Sequence, residues 1–310
     1  MTDKPKRDLS ASVRARLLNL AKSNGEAYDS VLVRFALERL LYRLSQSTYR
    51  DRFVVKGAIM FQVWTQLTHR PTRDLDLLGK GLPDIDSFVA IFRELCDLIV
   101  EDDGIVFSAT SVTASKMKED EEYEGLRVKF EATLGSARIP VQVDIGFGDA
   151  VTPGSEMIEF PTLLNMPAPE LATYPRETVV AEKFQAMVML GMANSRMKDF
   201  YDLFTLCSQF SFNGQVLADA IQATFARRRT PLPSSPPLAL TAEFTEDKQK
   251  SKQWIAFLNK SKLDAHGQSL SQITDSLQQF LMPPAKAAGH GLTFDRMWLP
   301  NQGWISENDE

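Results

Sequence analysis

Apolar residues recur at intervals of three and four positions along two stretches near the start of the chain, 9–21 and 28–45. This spacing is typical of amphipathic helices, and Ser10 and either Asp29 or Ser30 stand where N-caps are expected. We therefore predict a helix over each stretch.

The pattern changes after residue 50. RFVVKG (52–57) is a short run of β-branched and aromatic residues that ends at a glycine, and DLDLLG (74–79) is a second strand-like run. Between them lie an apolar stretch with helical periodicity (58–67) and the loop THRPTR (68–73). The order predicts a strand, a glycine turn, a helix, a loop and a strand, which form a compact unit around which a sheet can be built.

The middle of the chain continues with strand signals. The pattern predicts a helix at 84–100, strands at 105–113, 125–134 and 138–147, a hairpin turn at Gly135–Ser136 and a solvated acidic loop at 119–124.

The second half of the chain is helical in pattern, and a proline-rich connection at 149–175 precedes it. Helices are predicted at 176–192, 197–210, 214–228, 246–260 and 268–281, followed by a loop or docked tail from Pro283. Together these elements predict an α+β fold. A small mixed sheet flanked by helices forms domain 1–150, and a mainly helical C-terminal lobe forms domain 151–310.

Composition narrows the class of protein. With 44% hydrophobic and 24% charged residues among 310, the chain is typical of globular proteins. No apolar run approaches the roughly 18 to 20 residues of a membrane span, and the first residues lack the apolar core of a signal peptide. We therefore expect a cytoplasmic protein with no membrane partner. Cys96 and Cys207 lie in apolar helical patterns, which predicts buried, reduced thiols.

Charge is uneven along the chain, whose net charge is −5. Residues 1–60 hold 12 Lys and Arg against 6 Asp and Glu. A basic N-terminal face would suit a polyanion such as RNA. The alternative is that these charges lie on the solvated faces of amphipathic helices.

Asp74 and Asp76 are the first candidates for chemistry. Residues two apart in a strand project from the same face, so both carboxylates are expected at one place. Paired hard oxygen ligands suit Mg²⁺ or Mn²⁺. The alternative is a pair of exposed acids at the end of a strand.

Asp144 is the second candidate, because it interrupts the apolar strand VQVDIGF. A lone buried carboxylate is costly without a partner. If this strand pairs beside 74–79, Asp144 becomes the third carboxylate of a metal site and accepts the proton of an attacking hydroxyl. The alternative is an edge-strand aspartate that faces water.

Two further groups are candidates for phosphate binding. The turn Lys56–Gly57–Ala58 joins a strand to a helix, where glycine permits close approach and free backbone N–H groups attract phosphate. Lys183 lies on a mostly apolar helix that a helical hairpin brings near Lys198 and Asp199, and its ammonium suits a triphosphate. Asp202 lies on the same helix face as Asp199, three residues on. The alternatives are an ordinary turn and a structural Lys–Asp ion pair that joins the two helices.

Three strings in this order resemble one protein family. FVVKGAIMFQVWTQLTHRPTRDLDLLG (53–79) resembles the AbiEii/AbiGii nucleotidyltransferase toxins, the branch of the polymerase-β-like nucleotidyltransferase superfamily that includes the MenT toxins. EKFQAM (182–187) and RMKDFYDLFTL (196–206) are similar to downstream motifs of that family. The resemblance implies a nucleotidyltransferase core whose active site the C-terminal lobe completes.

The resemblance also implies roles for individual residues. Asp74 and Asp76 match the metal-binding pair, and Asp144 is the third acid. Gly57–Ala58 takes the place of a Gly-Ser or Gly-Gly turn, so that backbone amides hold the phosphate without a side-chain hydroxyl. Lys183 matches a lysine that contacts nucleotide phosphates, and Asp199 matches the acid of the last motif.

On this basis we expect a Mg²⁺- or Mn²⁺-dependent enzyme that moves an NMP from an NTP to an acceptor hydroxyl, with tRNA as one acceptor. The family implies the toxin of a toxin–antitoxin or phage-defence pair, restrained by a cognate antitoxin protein. Two alternatives stay open. A non-catalytic nucleotide-binding regulatory protein is favoured by the missing turn hydroxyl, and the third hypothesis is an enzyme that nucleotidylates a small molecule.

Overall fold

The computed structural model describes residues 8–65, 70–119, 123–265 and 267–306. The chain divides into two compact units. Unit 1 comprises the chain up to Gly148 together with Glu156–Thr173, and unit 2 comprises Asp149–Ser155 and the chain from Tyr174 onward. The segment Glu156–Thr173, which the sequence analysis assigned to the second domain, thus lies in unit 1.

Unit 1 contains helices and a sheet. Its helices are α1 (Leu9–Asn24), α2 (Tyr28–Gln46), α3 (Ile59–Thr65) and α4 (Ile85–Asp97). Its strands are β1 (Phe53–Lys56), β2 (Leu75–Gly79), β3 (Ile105–Phe107), β4 (Thr113–Glu119), β5 (Tyr123–Leu134), β6 (Ala137–Phe147), β7 (Glu156–Glu159) and β8 (Glu170–Thr173).

These strands form one mixed sheet of eight strands within the described residues. The order is β3-β5-β6-β2-β1-β8-β7, and β4 lies beside β5 along the same edge as β3. The pairs β2–β6 and β1–β8 are parallel, and the other pairs are antiparallel. The sheet therefore confirms the predicted α+β class.

The sheet has one apolar and one polar face, because side chains alternate along each strand. In β6, Ile139, Val141, Val143 and Ile145 are buried, whereas the residues between them are exposed or half-buried. The apolar face packs against α1, α2 and α4. The candidate site residues of the strands project from the other, polar face.

Helix α2 carries buried charged side chains at several positions around its circumference. Arg34 pairs with Glu26 at 2.9 Å, and Arg43 pairs with Asp103 at 2.7 Å. Arg39 donates a hydrogen bond to the carbonyl of Pro167. Because these arginines are internal, the expectation of a basic N-terminal face is wrong for α2.

Unit 2 is mainly helical, as predicted. Its helices are α5 (Arg176–Leu190), α6 (Met197–Gln209), α7 (Gly214–Arg227), α8 (Ala242–Thr245), α9 (Lys248–Ser261) and α10 (Leu270–His290). Three short strands, β9 (Phe212–Asn213), β10 (Met297–Leu299) and β11 (Gly303–Ile305), form a second sheet. Phe280 packs between Trp298 and Trp304 at ring-centroid distances of 4.9 and 6.0 Å, which fastens this sheet to α10.

Four element predictions were wrong. The strand predicted at 105–113 is interrupted, and β3 and β4 take its place. In the predicted acidic loop 119–124, residue 119 belongs to β4 and residues 123 and 124 belong to β5, while 120–122 lie outside the described residues. The connection 149–175 contains β7 and β8. Helix α10 continues through Pro283 and Pro284 because Ala285, Ala287 and Ala288 beyond them are buried, and this packing outweighs the lost backbone hydrogen bonds.

Both cysteines are buried, as predicted, and burial raises the pKa of each thiol to about 12. In the part of the chain that the structure describes, no helix is long and apolar enough to cross a membrane.

Glu38 of α2 generates a prediction about pH. Its carboxylate accepts a 2.7 Å hydrogen bond from the backbone N–H of Leu163 and lies 3.3 Å from Arg39, yet burial dominates and raises its pKa to about 7. A raised folded-state pKa means that the folded protein binds the proton more tightly, so stability falls as the pH rises from about 4.5 through 7. We expect Glu38→Gln to remove up to about 3 kcal/mol of this loss, because the amide oxygen keeps the hydrogen bond without the charge.

The measurement is the free energy of unfolding in urea at pH 5 and pH 8. Glu101→Gln, at an exposed position, is the matched control and should leave the pH dependence unchanged. An unchanged pH dependence in Glu38→Gln would show that Glu38 is ionised at both pH values.

Candidate functional site

A row of four charged residues crosses the polar face of the sheet. In the register of the strands, Lys56 of β1 stands opposite Asp76 of β2, Asp76 opposite Asp144 of β6, and Asp144 opposite Arg127 of β5. Residues that are partners in register project from the same face. The order of charge across the sheet is therefore positive, negative, negative, positive.

The two central carboxylates belong to neighbouring strands. Strands in a sheet lie about 4.8 Å apart, and two like charges at that distance repel by about 3 kcal/mol at an effective dielectric constant near 20. Asp74 precedes β2 by one residue and accepts a 2.8 Å hydrogen bond from the Thr72 hydroxyl. The predicted pairing of strand 74–79 beside the strand of Asp144 is thus what the structure shows.

Gly57 follows β1 and lies against Asp76. Its φ angle of +80° falls in the left-handed region, and a Cβ at this position would collide with the Asp76 carboxylate and approach the Asp76 Cβ to 2.7 Å. Ala58 is buried, and α3 begins one residue later. The turn Lys56–Gly57–Ala58 therefore requires glycine because the carboxylate occupies the space a side chain would need.

Asp144 is held by Arg127. The Arg127 guanidinium donates two hydrogen bonds, Nε to Oδ1 at 2.8 Å and Nη2 to Oδ2 at 2.7 Å, and Gln142 Nε2 lies 3.3 Å from Oδ2. The Asp144 side chain is 13% exposed and that of Arg127 is 39% exposed. Because β6 lies between β5 and β2, the alternative of an edge-strand aspartate facing water is wrong.

Sequence analysis missed Arg127, although the signal was present. The two-residue turn at Gly135–Ser136 pairs Leu134 with Ala137, as predicted, and the register then runs without interruption to Arg127 and Asp144. Counting outward equally from the turn would have placed the arginine opposite the acid.

A cleft of about 700 Å³ opens farther along β5 and β6 in unit 1. Arg73, Lys129 and Arg138 line it, together with the acids Asp29 and Glu131. The three cations are exposed, and among the described residues none of them forms an ion pair. Lys129 is the register partner of Gln142, so the cleft lies on the strands that carry the charged row.

In unit 2, Lys183 of α5 pairs with two acids of α6. Its ammonium lies 2.6 Å from Asp199 Oδ1 and 2.8 Å from Asp202 Oδ2. Both acids are buried. Lys198 is exposed, and within the described residues it forms no ion pair. The structure thus joins Lys183 to Asp199 as expected and leaves Lys198 apart from the pair.

The carboxylates of unit 1 were tested for their fit to a divalent cation. Asp74 and Asp76 carry carboxylate oxygens, which are the hard ligands that Mg²⁺ and Mn²⁺ prefer. Both oxygens of Asp144 accept hydrogen bonds from Arg127. Across the described ranges, no group of three His, Cys, Asp or Glu side chains is arranged to hold a metal ion. The donor chemistry of the aspartates therefore suits a divalent cation, but in this structure both oxygens of Asp144 are engaged by Arg127.

A family model described as nucleotidyl transferase AbiEii toxin, type IV TA system, matches residues 39–279. The chain belongs to the AbiEii nucleotidyltransferase toxin family. The matched span contains every candidate residue from Lys56 to Asp199, and it confirms the family that the three strings resemble. This AbiEii-family protein is a nucleotidyltransferase toxin.

Two solved structures match this AbiEii-family chain over most of its length. One is a candidate nucleotidyltransferase from H. pylori, with a TM-score of 0.48, 15% identity, and coverage of 86% of this chain and 97% of that chain. The other is JHP933 from Helicobacter pylori, with a TM-score of 0.48, 14% identity, and coverage of 86% and 94%. No curated protein matches the sequence.

The contact between Gly57 and Asp76 generates a stability prediction for this AbiEii-family protein. Gly57→Ala incurs the strain of a positive φ angle and also the collision with the Asp76 carboxylate. Gly25→Ala is the matched control, because Gly25 has a φ of +66° and nothing within 4 Å of an added Cβ. We expect Gly25→Ala to cost about 1 to 2 kcal/mol and Gly57→Ala clearly more.

Urea denaturation of the two variants measures the difference. Equal destabilisation would show that the Asp76 side chain moves aside freely, and that the turn does not determine its position.

The Lys183 ion pairs generate a second prediction. Lys183→Met leaves two buried carboxylates without their shared cation, and breaking a buried pair in this way costs about 3 to 5 kcal/mol. Lys198→Met removes the same charge from an exposed position of α6 and should change the stability by less than about 0.5 kcal/mol. If both variants unfold at the same urea concentration, the ion pair does not stabilise unit 2.

Proposed function

We propose that this chain is a metal-dependent nucleotidyltransferase that moves an NMP from an NTP to an acceptor hydroxyl and releases pyrophosphate. The observation that supports the proposal is that Asp76 and Asp144 are register partners on adjoining strands, with the Gly57 turn against Asp76. Adjacent acids in mid-sheet are costly unless positive charge, from side chains or a bound cation, offsets them.

The reaction is an in-line displacement at the α-phosphorus. The acceptor oxygen forms a bond to this phosphorus, the bond to the bridging oxygen of the β-phosphate breaks, and pyrophosphate leaves. Asp74 and Asp76 would hold the divalent cation. When bound, this ion supplies charge neutralisation and orientation of the phosphate oxygens. Asp144, once free of Arg127, accepts the proton of the acceptor hydroxyl.

Nucleotide binding is assigned to two groups of residues. Lys56 and the backbone amides of Gly57 and Ala58 contact phosphate beside Asp76, as the position of the turn in the charged row suggests. Lys183, Lys198 and Asp199 are nucleotide contacts on the strength of their match to family motifs. For Lys183 this role adds to its structural pairing with Asp199.

The acceptor proposed is RNA, with tRNA as the leading class. The support is the cleft on the strands of Asp144, lined by Arg73, Lys129 and Arg138, which are exposed and form no ion pair with any residue that the structure describes; such positive charge suits phosphodiester groups. The protein would act in the cytoplasm, in phage defence or a related stress response, and a cognate antitoxin protein would restrain it.

A second candidate is a nucleotide-binding regulatory protein without turnover. Two observations favour it. Asp144 is engaged by Arg127, and Ala58 supplies no hydroxyl to a triphosphate. An activity assay separates this candidate from the first.

The deciding experiment is the incubation of the protein with each α-³²P-labelled NTP, Mg²⁺ or Mn²⁺, and total cellular RNA and protein. We expect label in the RNA fraction with one NTP. Asp76→Asn should reduce the labelling at least about a hundredfold, because it removes a ligand of the cation. Asp97→Asn, which neutralises an exposed acid at the end of α4, is the matched control and should label normally.

Each of the other outcomes would support a different function or acceptor. Label on protein would replace RNA as the acceptor, and a labelled small molecule would support the third hypothesis. Unchanged labelling in Asp76→Asn would refute the role of the charged row. The absence of label with bound nucleotide in calorimetry would support the regulatory protein.

A further inference from the structure

Arg127 occupies the part of Asp144 that a metal ion would use. Its guanidinium bonds to both carboxylate oxygens, at 2.8 and 2.7 Å, in the bidentate geometry that is the strongest arrangement for this pair.

The pairing has an electrostatic reason. Asp76 and Asp144 are adjacent anions, and without a bound cation their repulsion has to be offset by other charges. Arg127 lies beside Asp144 and Lys56 is in register with Asp76. These two cations give the row a formal charge of zero.

Arg127 is the more exposed member of the pair. Its side chain is 39% exposed, whereas that of Asp144 is 13% exposed, so the arginine is the partner with room to rotate. A triphosphate offers the guanidinium a replacement, because phosphate oxygens accept the same two parallel hydrogen bonds as a carboxylate. Gln142 stays beside Asp144 on the same strand.

We propose that Arg127 is a positioning residue that holds Asp144 away from the metal until the triphosphate takes over its guanidinium. The inference rests on the proposed function, since it concerns the same carboxylates. Its consequence is thermodynamic coupling: the nucleotide raises the affinity of the protein for the divalent cation by more than its own phosphate ligands would. Without nucleotide, the third carboxylate is blocked and the cation binds weakly.

The test is a titration of the full chain with Mn²⁺, followed by electron paramagnetic resonance of the free ion, with and without a non-hydrolysable NTP analogue. In the absence of nucleotide, we expect Arg127→Gln to bind Mn²⁺ about tenfold or more tightly than the unchanged protein. The analogue should strengthen Mn²⁺ binding less in this variant than in the unchanged protein, because Asp144 is already released.

Two controls isolate the effect. Arg93→Gln removes the same charge from an exposed position of α4, which packs on the opposite face of the sheet, and it should change Mn²⁺ affinity less than twofold, since screening weakens distant charges. Arg127→Gln combined with Asp144→Asn should lose the gain in affinity, because the carboxylate that Arg127 releases is then absent.

Arg127→Lys guards against a variant that fails to fold, since it keeps the charge but cannot form the bidentate pair. We expect it to bind Mn²⁺ with an affinity between those of the unchanged protein and Arg127→Gln. If Arg127→Gln and Arg127→Lys are folded by circular dichroism and bind Mn²⁺ no better than the unchanged protein, the proposal is overturned. An equal strengthening by the analogue in all variants overturns it as well.

These outcomes are distinct from a failure of the proposed function. Mn²⁺ binding is read without turnover, so a protein that labels no acceptor can still show the release of Asp144. Conversely, if the enzyme is active but its Mn²⁺ affinity is unchanged in the Arg127 variants, the proposed function stands and the role of Arg127 is refuted.

Discussion

The repulsion between Asp76 and Asp144 is the constraint around which unit 1 is organised. The two acids stand side by side on β2 and β6 in the middle of a sheet, where a change of register by one residue would move them to the opposite face. The apolar residues that flank each acid along its strand prevent such a shift, because they are packed under α1, α2 and α4. The hydrophobic core on one face thus holds like charges together on the other, and the flanking cations make the arrangement tolerable.

A second set of charges is internal and of a different kind. Arg34, Arg39 and Arg43 lie at different positions around α2, and they contact Glu26 just before the helix and Pro167 and Asp103 much later in the sequence. Buried pairs of this sort add little net stability, but they penalise any alternative packing in which one partner is left alone. In unit 1 they fasten the segment before β8 to the helix layer. The buried charges among the helices of unit 1 therefore favour one packing arrangement, whereas the charged row on the polar face of the sheet forms the candidate site.

Sequence reasoning reached as far as local patterns extend. The spacing of apolar residues was sufficient for α1, α2, β5 and β6, and the two-residue alternation placed Asp74 and Asp76 on one face. It failed where tertiary packing decides, as in α10, which runs through two prolines, and in β7 and β8, which are short strands within a proline-rich connection. The partner of Asp144 was missed for another reason: Arg127 was treated as part of a strand rather than traced through the register of the hairpin. The roles of the site residues in nucleotide transfer stay predictions.

The path of the chain through the two units has a consequence for the gene. The strand β8 pairs in parallel with β1, the strand that leads into Gly57, yet it is encoded after a segment that belongs to unit 2. A single cut near codon 150 would separate β1 from its neighbour in the sheet and would leave Asp149–Ser155 without the rest of its own unit. Neither half can therefore be inherited, exchanged or fused to another gene as an intact module by one crossover. Recombination between relatives is expected to preserve the chain as a whole from the first helix to the last.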